Sequence, residues 1–325
     1  MEAAVIMEAA VEMEKDVVVT NHPIHKEHLT LAIGDYSIDI VSDNDELGHL
    51  AIPDLAMKFL DTEVTYHPSY TIQLMINPSE YWEPDSAPIA GFTEGPVPYL
   101  IYRLQEDEYL WIRKDRFDIP RVVYRISNQW NCWELLYNHD DSSDYCSFNE
   151  LAFLFPYSIL NKNGVLFHGV VMEWKSMGVL VCACAGTGKT THTKMWKEVE
   201  NASILNGDRA LCCYVDHQWY TYGAPWNGSS GECINRRVPL RAIVLLEQAD
   251  NNQIARLTPL QGILGLIPVT FAPDWDEKQM NRAIDTIEQI GMQVPIYALY
   301  CKPNLEALEI LKGELEKLID MERNW

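Results

Sequence analysis

Gly178-Val-Leu-Val-Cys-Ala-Cys-Ala-Gly-Thr-Gly-Lys-Thr-Thr191 is the stretch whose reading decides the fold. An apolar strand runs into a loop of small residues, and Lys189-Thr190 then opens a helix. Phosphate binding needs this arrangement. Glycines let successive backbone N–H groups turn inward as an anion nest, and the helix N-terminus adds its positive end. On this reading Ala185, Gly186, Thr187, Gly188, Lys189, Thr190 and Thr191 cradle a nucleotide's phosphates. Lys189 reaches the β- and γ-phosphates, and the Thr190 hydroxyl ligates Mg²⁺. The strict pattern has glycine where this chain has Ala183; the looser pattern tolerates the methyl group. The cofactors expected are ATP and Mg²⁺, with GTP an open alternative.

Working outward, a P-loop enzyme needs a carboxylate beyond a second strand, to hold the metal or to take a proton. Ser203-Ile-Leu-Asn-Gly-Asp208 supplies one: a short apolar strand that ends in Asp208. The competing reading is an Asn-Gly turn with an incidental acid. Further on, Tyr222-Gly-Ala-Pro-Trp-Asn-Gly-Ser-Ser-Gly231 is a shaped loop, followed by Arg236 and Arg237. Forked guanidinium donors there could clamp phosphate oxygens, although surface arginines are common. Trp226 reads as loop packing rather than a substrate platform. His168 lies on the strand before the P-loop strand and, taken alone, reads as structural.

The chain has 325 residues, which favours two domains. Its formal charge is −22, unevenly spread. Residues 1–150 hold 28 acids against 9 bases, and residues 151–325 hold 19 against 16. That balance argues against nucleic acid and against an anionic membrane, both of which need a basic footprint. No apolar run is long enough to cross a bilayer, and the N-terminus does not read as a secretion signal. The eight cysteines have no zinc-knuckle or CxxC spacing, so they read as reduced thiols of a cytoplasmic protein. Cys182/Cys184 and Cys212/Cys213 sit in apolar runs and are expected to be buried.

The texture changes near the middle. Residues 1–14 repeat a theme and read as a short helical extension. From 15 to 147 the pattern is that of a mainly antiparallel β domain, with strands expected over 29–33, 36–41, 64–76, 99–103, 109–113, 121–126 and 132–137. The proline-rich segment 77–98 reads as irregular surface, and Trp130 and Trp133 as core. His22, His25 and His28 recur at a spacing of three, but Pro23 opposes a regular metal-binding helix. From 148 to 325 apolar strands alternate with helical periods, as α/β folds require. Helices are expected over 148–160, 190–199, 259–266, 276–290 and 305–319. Strands are expected over 165–172, 177–184, 203–208, 240–246 and 295–300.

Leu166-Phe-His-Gly169, Ala185-Gly-Thr-Gly-Lys-Thr-Thr-His-Thr193 and Leu205-Asn-Gly-Asp208 resemble the HPr kinase/phosphorylase-like family, as does Gly223-Ala-Pro-Trp-Asn-Gly228 followed by Val238-Pro-Leu-Arg-Ala-Ile243. The resemblance covers about residues 150–310. It implies an α/β P-loop domain of the HPr kinase and phosphoenolpyruvate carboxykinase type, a mixed sheet with flanking helices, behind the β domain. It also implies a catalytic role for His168 and makes Asp208 one of a pair of acids whose other place is taken here by Gly207. That loss weakens the case for a reverse, dephosphorylating reaction. The chain looks closer to stand-alone members similar to precursor-peptide serine kinases. The acceptor this implies is a serine on a peptide or protein; a small metabolite such as free serine, or a non-catalytic nucleotide sensor, are the alternatives. Bifunctional relatives look like homo-oligomers, a state these residues leave open here.

Overall fold

The computed structural model describes residues 28–42, 56–60, 70–77, 83–94, 97–115, 117–136, 148–184 and 186–323. The expected helix over 1–14, His22, His25 and residues 64–69 lie outside these. The chain divides into two compact units. Among the described residues, one comprises those up to Lys162 with 273–279; the other holds 163–272 with 280–323. The boundary read from sequence at 147/148 therefore falls instead after Lys162.

The N-terminal unit is an eight-stranded sheet in the order β1-β2-β3-β8-β7-β6-β5-β4. Its strands are β1 His28–Ile33, β2 Tyr36–Ser42, β3 Tyr70–Asn77, β4 Ala90–Glu94, β5 Val97–Arg103, β6 Tyr109–Lys114, β7 Pro120–Ile126 and β8 Cys132–Leu136. Most neighbours are antiparallel, while β2–β3 and β3–β8 are parallel. Helix α1 (Leu151–Ile159) belongs to this unit. Phe155 is fully buried, Tyr36 meets its ring edge-on, and the Trp133 indole N–H donates to Ser158 Oγ at 3.1 Å. That packing is why the helix goes with the first sheet. Trp130 and Trp133 are core, as expected. The segment read as irregular holds β4 and the start of β5. Pro98 is tolerated there because β6 pairs with β5 only from Tyr99 onward.

The C-terminal unit is built on a second eight-stranded sheet. Its strands are β9 Gly164–Trp174, β10 Met177–Cys182, β11 Ser203–Asn206, β12 Arg209–Val215, β13 Gln218–Tyr222, β14 Arg237–Gln248, β15 Gln253–Arg256 and β16 Ile296–Cys301. The order runs β10-β9-β12-β13-β14-β16-β15, with β11 beside β9 and β14 also pairing with β10. Strands β10, β9, β12, β13 and β14 thus close into a ring. The twelve residues of β14 make this geometry: residues 237–239 pair with β13, and the remainder pairs in parallel with β10 and β16. Gly178 sits where the ring closes; a Cβ there would lie 2.6 Å from Thr221 Cγ2 and 2.8 Å from Val238 Cγ2.

Helices α2 (Lys189–Glu200), α3 (Pro259–Leu266), α4 (Glu277–Gln293) and α5 (Leu305–Arg323) complete the described α-helices. Val179, Val181, Val244, Leu246 and Leu299 point into one apolar layer with Trp196 of α2 and Leu308, Leu311 and Leu315 of α5. The three leucines fall at i, i+3 and i+7, the spacing of one buried helix face. Each is fully buried, worth about 1.5–3 kcal/mol in transfer from water. Helix α3 starts at a reciprocal cap between Thr258 and Gln261, with proline in its first turn. Gly262 and Gly265 let it lie close on Ile296 and Leu245.

Candidate phosphate site

Every residue of β10 is buried, as suits a central strand covered on both faces. The chain leaves it through Ala183 and Cys184 and enters α2 at Lys189. Gly186 and Gly188 have φ of +75° and +105°, in the left-handed region that glycine enters without a Cβ penalty. A Cβ at either would meet nothing within 4 Å, so both are required by backbone conformation, not by crowding. No side chain caps the start of α2. An uncapped helix start presents backbone N–H groups and the positive end of the helix dipole, which is what an anion needs.

Lys189 is buried, and its Nζ donates to Ala183 O at 2.7 Å and to Cys184 O at 3.3 Å. Burial lowers its pKa, an effect opposed by Cys182 and Asp208. Gln248, at the end of β14, donates to Gly186 O at 3.4 Å and Thr187 O at 3.2 Å, tying the outer loop to the neighbouring strand. Thr190 and Thr191 are exposed on the first turn of α2. Ala185 lies outside the described residues. Cys184 is exposed, against the expectation that both cysteines of this run are core; only Cys182 is buried. The strand ends before Cys184 and the loop carries it outward.

Three strands bring the other groups to the loop. Cys182 pairs with Gly169 across β10 and β9, and the Gly169 N–H donates to Asp208 O at 2.9 Å. The pairing of β11 with β9 slips between Ile204 and Asn206; from there Asn206 faces Val171 and Arg209 faces His168 in one register. Asn206, fully buried, holds the Gly207-Asp208 segment that joins β11 to β12. Its Oδ1 accepts from the N–H of Asp208 at 2.8 Å and of Arg209 at 2.6 Å. Its Nδ2 donates to Ala224 O at 2.8 Å and Trp226 O at 2.9 Å, which fastens the loop after β13 to the acid. Trp226 is buried, as loop packing requires.

The Asp208 carboxylate is flanked on both oxygens: His168 Nε2 stands 3.9 Å from Oδ1 and Arg209 Nε 3.7 Å from Oδ2. His168 and Arg209 face each other across β9 and β12. His168 stacks against Phe271, and the Arg209 guanidinium lies 4.7 Å over the same ring. Burial pushes His168 down to about 4; Asp208 opposes that shift, while Lys189 and Arg209 add to it. His168 is therefore neutral at pH 7. One carboxylate stands against two buried cations, an imbalance that favours an anion.

Gly207 has a steric reason. A Cβ there would lie 1.9 Å from Ser230 Oγ and 2.5 Å from Ser230 Cβ. Ser230 is itself held, its hydroxyl donating to Asn227 O at 2.8 Å and accepting from the Glu232 N–H at 3.2 Å.

Arg236 and Arg237 are not brought to this site. Both lie at the start of β14, whereas Leu245, eight residues past Arg237, pairs with Cys182 where the glycine loop begins. At about 3.3 Å per residue the path along the strand between them is at most about 25 Å. Arg236 pairs with Glu173, and Arg237 lies 4.6 Å over the Tyr220 ring. Sequence reasoning missed Asn206 and Arg209, although both adjoin the Gly207-Asp208 turn it singled out. Among the described residues, no group of three or more His, Cys, Asp or Glu could hold a metal by itself, and no helix is long and apolar enough to cross a membrane.

A family model described as SynChlorMet cassette protein ScmC matches residues 132–303, just over half of the chain. No curated protein matches it. Among solved structures, the Hpr(Ser) kinase/phosphatase from Coxiella burnetii is 12% identical over 49% of this chain and 95% of that one. The TM-score is 0.30, too low to establish a shared fold. By the extent of the family match, the chain belongs to the SynChlorMet cassette protein ScmC family.

Proposed function

We propose that the C-terminal unit binds ATP with Mg²⁺ and transfers the γ-phosphoryl group to a serine-type hydroxyl on a peptide or protein. One observation carries the reading. Lys189, at the uncapped start of α2, closes a loop whose other side faces Asp208, with Arg209 and neutral His168 behind it. Thr190 and Asp208 are the residues that would hold a magnesium ion. Magnesium commonly takes one or two protein oxygens beside phosphate and water, and these two residues would supply that number. Bound Mg²⁺ would offset charge on the transferring phosphate. The loop N–H groups and Lys189 orient the β- and γ-phosphates, and Asp208 is placed to take the acceptor hydroxyl's proton. The serine-type acceptor rests on the family resemblance of the motifs around His168, Lys189 and Asp208.

The test is transfer of labelled phosphate from ATP to a host peptide and metabolite extract, with Lys189→Ala as control. Loss of a group acting in the transition state should lower the rate on the order of 10²- to 10³-fold. Turnover within a few-fold of wild type would sink the assignment. A nucleotide sensor is the second reading, favoured by the lone carboxylate beside Gly207. Tight ATP binding without transfer to any acceptor would select it, and label on a free metabolite would move the acceptor class.

A further inference from the structure

The cation nearest the acid is one the motif does not contain. Arg209 is 2% exposed, in the strand position opposite His168. Its guanidinium is placed twice, over the Phe271 ring and 3.7 Å from Asp208 Oδ2. Its own N–H is bound by Asn206, the residue that also binds the N–H of Asp208. Backbone and side chain of residue 209 therefore both report to the acid.

We propose that Arg209 is a positioning residue for phosphoryl transfer: its flat guanidinium, seated on Phe271, fixes the orientation in which Asp208 meets the metal and the acceptor hydroxyl. This rests on the phosphate-loop reading above. At 3.7 and 3.9 Å the neighbours of Asp208 lie beyond hydrogen-bond reach, so they orient the carboxylate without consuming its lone pairs. A carboxylate set in this way keeps its acceptor capacity for a metal or a hydroxyl. The guanidinium also offsets the acid's charge, so that the acid does not repel the incoming polyphosphate. Arg236 and Arg237 are engaged elsewhere, the one with Glu173 and the other over the Tyr220 ring.

The experiment is a double-mutant cycle with a binding readout beside the rate. Wild type, Asp208→Asn, Arg209→Met and the double variant are titrated calorimetrically with ATP, with and without Mg²⁺, and assayed with labelled ATP. The quantity compared is the Mg²⁺-dependent gain in ATP affinity, which removes any effect of Arg209 on ATP alone. Each single variant should lose about tenfold of that gain, and the double about the same tenfold, because groups acting as one unit are non-additive. Arg209→Lys should lose about threefold, since it keeps the charge but not the planar fork. If Arg209→Met melts below the assay temperature, the cycle is run with the lysine variant. A loss in the double equal to the product of the singles overturns the proposal, as does an Arg209→Met gain within about twofold of wild type. Wild type that binds no ATP removes the phosphate-loop reading and this proposal with it. Normal wild-type binding with multiplicative losses removes this proposal alone.

Discussion

Replacing Asn206 by leucine tests how the acid is held. The side chain makes four hydrogen bonds, two from backbone N–H groups on the Asp208 side and two to backbone carbonyls of the loop after β13. Leucine matches its size and satisfies none of them. At about 1 kcal/mol for each bond the cost is about 4 kcal/mol, a large part of a typical domain's stability. In a melt followed by circular dichroism, about 2–4 °C per kcal/mol gives a fall of about 8–16 °C. Asn206→Asp divides the effect: it keeps the acceptor for Asp208 and Arg209 but sets a charge against Ala224 O and Trp226 O. It should cost at least as much as leucine while leaving the Asp208 turn better formed. Phosphate transfer by the surviving fraction should therefore fall less with aspartate. A leucine variant melting within about 2 °C of wild type would refute the view that Asn206 carries the site.

Two further outcomes can be checked. His168 and His192 both have pKa values pushed by burial from 6.5 to about 4, so the unfolded chain takes up their protons first as the solution is acidified. Their contribution is intact above pH 6.5 and is lost between 6.5 and 4, on the order of 3 kcal/mol per histidine. Urea midpoints that stay level across that window, or a slope unchanged by His192→Phe, would contradict this. Cys184 is exposed in the glycine loop before α2, whereas Cys182 and Cys212 are buried with thiols pushed up by burial. An alkylating reagent should mark Cys184 first by mass spectrometry, and ATP with Mg²⁺ should slow the marking about tenfold. Labelling indifferent to nucleotide would remove ATP from this loop.

What could be read in advance follows from where the signals are local. The run into Lys189 carries strand, glycine loop and helix start within fourteen residues, so a single sequence suffices to place it. Asp208 was legible because an apolar strand ends on it. Strands β12 and β13 were not, because the hairpin between them turns on Asp216 and His217, both at positive φ, without the glycine or asparagine that usually marks such a turn. The arginine clamp failed for a different reason. Sequence shows that Arg236 and Arg237 precede a strand, but only the parallel pairing of β14 with β10 shows that a residue preceding that strand stands at the end away from the loop. Arg209 went unseen because a charged residue opening a short strand looks like solvent-facing surface, and its burial depends on Phe271, sixty-two residues later.

The contact between Gly207 and Ser230 also constrains the order of mutation. A side chain at 207 cannot be gained in one step, since the first atom it adds falls on Ser230 Oγ and Cβ. Alanine at 230 does not clear the way, because its Cβ remains. Position 230 must become glycine first, giving up the hydroxyl that binds Asn227 and Glu232. Lineages descending from this arrangement are therefore expected to carry a side chain at 207 only where glycine already stands at 230.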